Sequence, residues 1–454
     1  MDAVTPLERV AGLALDLAII LVAAKIGGEI AERFLKQPAV LGELAAGILI
    51  SPFALGGWHI GSLAPLFEVQ GEGIAALPVA PELYFVAQIA AVVLLFQAGL
   101  ETNRQRFFKY VRPATIVAMG GIVLPFVLGM MATVWFGHAS FDSLHDLIPA
   151  LFVGAAMTAT SVGITARVLA DVSKLDTPEG VTVLGAAVVD DVLGIIILAI
   201  VVGISDQGTV SGGSLALIFV KAVGFWLGLT VVGSVLAVRI STWVSWFRGS
   251  GSSVAMALAM AFLAGAVAES SAGLAMIIGS YSLGLALSNT ELKRRIEEQM
   301  RHINYFLVPL FFVVIGMQVD FTSFGGGGEV GEAAGSALNV ALFTAVVCLF
   351  AIFGKVIGCG IPALGVGFNR LGATRIGIGM LPRGEVALIV AGIGLGSGVI
   401  SRFEFGVVIV MTVVTTVIAP VFLVRAFKKP GSGLRKPEAV PASPATPGSG
   451  SPGI

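Results

Sequence analysis

The chain has 454 residues, of which 56% are hydrophobic and only 12% charged, and its mean hydropathy is +0.96. So apolar a composition exceeds what one water-soluble core can bury, which places the chain in a lipid bilayer. Its formal net charge of −1 supplies no basic surface for neutralising phosphates, which excludes nucleic acid as a natural partner.

A spanning helix needs about 20 predominantly apolar residues. Thirteen segments meet or approach that length, at about 10–34, 38–55, 82–101, 113–136, 147–172, 179–205, 213–240, 252–270, 273–290, 301–321, 336–364, 373–399 and 403–427. The first is longer than a signal-peptide core and lacks a small-residue cleavage site, so it reads as a span. The 252–290 region is short for two spans, and its division rests on Glu269-Ser-Ser-Ala-Gly273. The fold class is therefore an all-α polytopic membrane protein, with a transmembrane domain over 1–428. From 429 to 454 the sequence turns to Pro, Gly, Ser and Ala, a composition expected to form a disordered cytoplasmic tail.

Basic residues set the expected topology, because positive connections stay in the cytoplasm. One set of connections holds Arg33 and Lys36, Arg104 to Arg112, Lys174, Arg239 and Arg248, Lys293 to Arg301, and Arg370 and Arg375, with Arg425, Lys428 and Lys429 at the end. The other set holds only Arg9 and Arg402. An odd number of spans follows, with the N-terminus outside and the C-terminus inside. The expected location is the plasma membrane of a bacterium.

Cys348 and Cys359 lie in one apolar segment and read as small packed hydrophobes rather than metal ligands. The histidines, His59, His138, His145 and His302, fall in or beside connections without metal-ligand spacing. No cofactor is expected.

An internal repeat is visible. Val40-Leu-Gly-Glu-Leu-Ala-Ala-Gly-Ile-Leu-Ile-Ser51 aligns with Ile277-Ile-Gly-Ser-Tyr-Ser-Leu-Gly-Leu-Ala-Leu-Ser288, and Leu95-Phe-Gln-Ala-Gly-Leu100 with Phe312-Val-Val-Ile-Gly-Met317. An offset of seven spans, an odd number, puts the two copies in opposite orientations, the build of many secondary transporters.

Charges inside spans are costly, at about 2.5–3.5 kcal/mol each on insertion scales, and are commonly functional. Gly185-Ala-Ala-Val-Val-Asp-Asp-Val-Leu-Gly194 puts Asp190 and Asp191 in mid-span with no basic residue in that helix. Adjacent helix positions point about 100° apart, so one carboxylate can face a cavity and the other a neighbouring helix. Protonatable oxygens suit both proton coupling and hard cations such as sodium. Lys355 is the candidate counter-charge, against the alternative of a lysine snorkelling to the interface; for Lys25 and Lys221 snorkelling or a structural pair is the better reading. Met157-Thr-Ala-Thr-Ser-Val-Gly163 and Met380-Leu-Pro-Arg-Gly-Glu-Val-Ala387 read as broken helices. There Thr158, Thr160 and Ser161 would line a crossing whose half-helix ends Arg383 and Glu385 neutralise. Helix packing by small residues is the competing account of the hydroxyls.

These motifs, with Pro38 to Gly47, Leu94 to Glu101, Val189-Asp-Asp191, Pro309 to Met317 and Arg383-Gly-Glu-Val-Ala387, resemble the monovalent cation:proton antiporters of the second branch, the NapA-like and Kef-like proteins. The resemblance implies a core domain with two crossed broken helices moving against a dimerisation domain, in a homodimer. It implies that Asp191 binds the ion and protons, that Asp190 pairs with Lys355, and that Thr158 to Ser161 cross near Arg383 and Glu385. The Asp-Asp pair implies electrogenic exchange of sodium or lithium for protons. Without the large domain that Kef-like proteins carry after the last span, nucleotide gating is not expected. Potassium/proton exchange is the nearest rival. A passive channel is a weaker one, and an intramembrane aspartyl protease is disfavoured because its two aspartates come from different helices.

Overall fold

The computed structural model describes residues 6–58, 65–69, 79–207, 212–247, 249, 251–318 and 337–436. His59, Arg248 and residues 437–454 lie outside the described residues, as does the side chain of Glu385. The helices are α1 (Pro6–Ile30, continued by a π turn at Ala31–Leu35), α2 (Ala39–Ile50), α3 (Pro81–Glu101), α4 (Arg104–Trp135), α5 (Leu144–Ala156), α6 (Val162–Asp171), α7 (Pro178–Gln207) and α8 (Gly212–Trp246). They continue as α9 (Ser252–Ala272), α10 (Met276–Leu287), α11 (Glu291–Met317), α12 (Ala337–Gly365), α13 (Arg370–Gly379), α14 (Glu385–Gly396) and α15 (Arg402–Lys428). Among the described residues ten helices are long and apolar enough to cross a bilayer, while α5, α10 and α14 are shorter apolar pieces.

Local sequence explains most boundaries. Gly273 adopts a left-handed conformation (φ 67°) and separates α9 from α10 at the expected break. Ser401 accepts from the backbone of Phe403 and Glu404 and forms a capping box with Glu404, which starts α15. Asn369 caps α13 through the Gly372 amide.

Three boundaries differ from expectation. The helix expected from about 301 begins ten residues earlier, because Leu292, Ile296 and Met300 recur on one buried face while Arg294, Arg295 and Glu298 stay exposed. Similarly, α4 starts at Arg104 and runs through Pro113, burying Phe107 and Tyr110 in the extra turns. Finally, residues 429–436, expected within the tail, are held to α12 and α13. Asn369 Nδ2 donates to the carbonyls of Ser432 (2.7 Å) and Leu434 (3.1 Å), Phe368 pairs with Leu434 in an antiparallel bridge, and Arg375 donates to the carbonyls of Lys429 (2.6 Å) and Gly431 (3.1 Å). A backbone segment whose polar groups find such partners becomes ordered despite its Pro, Gly and Ser content.

The repeat governs the packing. In one crossing between the repeats α2 meets α11, where Gly47 lies against the Val313 carbonyl and Gly316 against the Leu44 carbonyl. In the other, α10 crosses α3 where Gly284 meets the Phe96 carbonyl and Gly99 meets the Tyr281 carbonyl. Neither crossing leaves room for a Cβ, and the matched glycines of the two repeats make the matched contacts, so each repeat's short helix packs on the other's longer one. These helices, with α1, α8 and α9, form one packed group; α4 against α7 and α12, and α13 to α15, form a second. The groups meet where α7 packs on α8, where α6 touches α2 and α3, and where α15 touches α2.

Candidate functional site

The second group is organised by two interrupted helices. The first span ends as α5 at Ala156 and resumes as α6 at Val162; the other ends as α13 at Gly379 and resumes as α14 at Glu385. Their extended segments cross. The Ser161 amide donates to the Pro382 carbonyl (2.8 Å), and the hydroxyls of Thr160 and Thr165 donate to the carbonyls of Met380 (3.4 Å) and Gly379 (2.6 Å). Pro382 has no amide to satisfy and Gly384 lies against Ser161, where a Cβ would come 2.9 Å from its Oγ. The interruptions thus put four half-helix termini and their connecting peptides inside the protein, where each polar group needs a partner.

Two buried cations supply partners. Arg383, fully buried, donates from Nη1 to the Ala159 carbonyl (2.7 Å) and from Nη2 to the Ala351 carbonyl (3.3 Å), while its own carbonyl accepts from Thr416 Oγ1 (2.5 Å). Lys355, also fully buried, donates from Nζ to the Thr158 carbonyl (2.6 Å) and to Asp190 Oδ1 (2.9 Å). Asp190 and Asp191 are 2% and 7% exposed, so α7 brings two carboxylates to the crossing and buries both. Lys25 and Lys221, by contrast, are exposed, and Lys25 donates to the Tyr305 carbonyl. Burial separates Lys355 from lysines that reach for the interface.

The structure therefore brings Asp190, Asp191, Lys355, Thr158, Thr160, Ser161 and Arg383 into one neighbourhood. Asp190 Oδ2, Ser161 Oγ and Arg383 Nε are buried there without a hydrogen-bond partner. Buried oxygen atoms left without donors are what a small cation or a proton satisfies. No group of three or more potential metal-ligating side chains occurs among the described residues. Both cysteines are buried free thiols.

Further buried charges lie outside the crossing. Glu43 lies within the Val40 to Ser51 motif and is 2% exposed; as a charge in mid-span it carries the same signal as the aspartates. Arg375 and Glu179 form a buried pair (2.6 Å), and His138 Nδ1 lies 3.1 Å from Glu404 Oε1. Their partners are far apart in sequence, and no spacing rule would have joined them.

Known proteins share the family and the fold. The family model described as the transmembrane sodium/hydrogen exchanger matches residues 18–429. The high-affinity Na(+)/H(+) antiporter NhaS3 of Synechocystis sp. is 35% identical, over 94% of this chain and 92% of its own length. The Na(+)/H(+)-K(+) antiporter GerN of Bacillus cereus is 34% identical, over 91% of this chain and 95% of its own. Among solved structures, the sodium proton antiporter MjNhaP1 of Methanocaldococcus jannaschii shares the fold with a TM-score of 0.60 at 16% identity, covering 92% of this chain and 99% of that one. With the matched region spanning nearly all the described helices, the chain belongs to the sodium/hydrogen exchanger family.

Proposed function

We propose that the protein exchanges sodium, or another small monovalent cation, for protons across the membrane, with Asp190 and Asp191 as the shared binding groups. The observation that carries the reading is the buried carboxylate pair at the crossing of two broken helices, with Lys355 on Asp190. A cation reaching the carboxylates competes with the Lys355 ammonium for Asp190, and loading the site therefore drives a proton out. Asp191 binds the ion and Lys355 couples it to proton release. With two carboxylates and an opposed lysine, more than one proton returns per cation and the cycle is electrogenic.

Relatives named as Na(+)/H(+) antiporters support sodium as substrate, and the GerN name supports potassium as a second. The chain works in the plasma membrane with its N-terminus outside, as the basic connections favour, and as a homodimer. In sealed proteoliposomes, sodium, lithium and potassium are added in turn while internal pH is followed. Sodium-driven pH change in the parent protein, lost in Asp191→Asn, is expected. Cation flux that ignores the pH gradient would instead make the protein a channel.

A further inference from the structure

Between α3, α6 and α11 lies a cavity of about 190 Å³ whose lining includes Gln97, Glu101, Arg167, Asp171, Arg301 and Asn304. It opens among the helix ends next to the Lys- and Arg-rich connections, and it contains neither aspartate of the crossing. One wall is a chain of amides anchored by a carboxylate. Gln97 Nε2 donates to Glu101 Oε1 (2.7 Å), and Asn304 Nδ2 donates to Gln97 Oε1.

The direction of that chain is fixed. A carboxylate only accepts, so Glu101 draws the Gln97 NH2 to itself and leaves the Gln97 carbonyl oxygen facing Asn304. Gln97 then turns Asn304 in the same sense. The outcome is that Asn304, 5% exposed, presents Oδ1 without a hydrogen-bond partner. On α6, Asp171 adds a carboxylate held by Arg167 at 3.2 Å, and Arg301 balances Glu101 in the sum of charges. What the cavity offers a cation is thus oriented oxygen atoms and room for retained water rather than net negative charge.

The repeat shows that this wall is built on one face alone. The positions matching Gln97 and Glu101 in the second repeat are Val314 and Gln318, and the one matching Asn304 is Ala87. At the amide links the counterpart is Val314 with Ala87, so the same helix pair packs there without a polar chain.

We propose that this cavity is a second, weaker cation site, in which a partly hydrated monovalent cation rests on Asn304 Oδ1 between Glu101 and Asp171 before or after occupying the aspartates. The site rests on the antiporter reading and adds to it a place where apparent affinity is set apart from turnover.

The test measures sodium-driven proton flux in proteoliposomes against sodium concentration. Asn304→Leu removes the oxygen, Asn304→Asp keeps one, and Glu101→Gln removes the anchor that orients the amides. Asn304→Leu and Glu101→Gln are expected to raise the apparent KM for sodium several-fold with the rate at saturating sodium kept within two-fold, and Asn304→Asp to keep the parent KM or lower it. The flux at saturating sodium and the melting temperature separate a lost site from a misfolded protein; if Asn304→Leu misfolds, the Glu101→Gln and Asn304→Asp pair decides. An unmoved KM in Glu101→Gln and in folded Asn304→Leu means that the oxygen holds water alone and overturns the site. Absence of sodium-driven flux in the parent protein overturns the antiporter reading, and this site with it; flux with an unmoved KM overturns the site alone.

Discussion

Lys355→Gln tests the link between burial and coupling most sharply. The ammonium is fully buried and makes two short hydrogen bonds, to Asp190 Oδ1 and to the Thr158 carbonyl. Glutamine keeps the bulk and a donor but removes the charge, leaving the Asp190 carboxylate in the interior without its cation. Breaking a buried pair from one side costs about 3–5 kcal/mol. For a chain of 454 residues, with the unfolding entropy per residue of globular proteins, 1 kcal/mol corresponds to about 1 °C, so the melting temperature in detergent should fall by about 3–5 °C. Because most of that cost is the stranded carboxylate, Lys355→Gln/Asp190→Asn should recover most of the loss, which requires a coupling of about 3 kcal/mol or more in the double-mutant cycle. In proteoliposomes the Lys355 variant should exchange with a reduced response to imposed voltage. Exposed Lys221 is the control. Equal, small effects of Lys355→Gln and Lys221→Gln on both melting temperature and voltage response would refute the coupling role.

Three further outcomes follow from the geometry. Asp191→Asn should leave a folded, inserted protein whose sodium-driven proton flux is at background; near-parent flux would remove Asp191 from the site. Gly284→Val should destabilise by more than a typical surface change, about 2 kcal/mol or more, because its side chain would enter the Phe96 carbonyl at the α10–α3 crossing, and detergent melting beside Gly228→Val, which has open space, checks it. Arg375→Gln should cost about 3 kcal/mol or more by stranding Glu179, and should also free residues 429–436, read as faster proteolysis of the chain end in detergent.

The spans, the repeat and the interrupted helices were legible because each leaves a local signature. Apolar runs set the spans, Gly47 and Gly284 recur in matching strings, and Pro382 with Gly384 interrupts a span. Helix starts at Arg104 and Glu291 were harder to read. Their first turns carry charge that a hydropathy window rejects, while a buried stripe, Leu292, Ile296 and Met300, decides the outcome. The ordering of 429–436 was illegible for a related reason: its partners, Asn369, Phe368 and Arg375, lie about 60 residues away, and composition alone says nothing of them. The Asn304 wall shows a third limit. An amide's orientation follows from a chain of contacts ending at Glu101, which no string of residues displays.

The two buried cations at the crossing, Lys355 alone in its apolar span and Arg383 two residues before Glu385, have partners that give them different work. The side-chain hydrogen bonds of Arg383 end on the Ala159 and Ala351 carbonyls, groups that do not titrate. An arginine is also effectively always charged. Arg383 therefore compensates the carbonyl-bearing ends that the broken helices leave inside the protein, and that need is the same whether the site is empty or loaded. Lys355 divides its donors between one such carbonyl, that of Thr158, and the Asp190 carboxylate. On the proposed exchange reading that second partner is the group a cation claims, so the environment of Lys355 would change with each cycle while that of Arg383 would not. An ammonium can lose its proton where a guanidinium cannot, and the crossing places the cation able to respond on the carboxylate and the invariant one on the backbone.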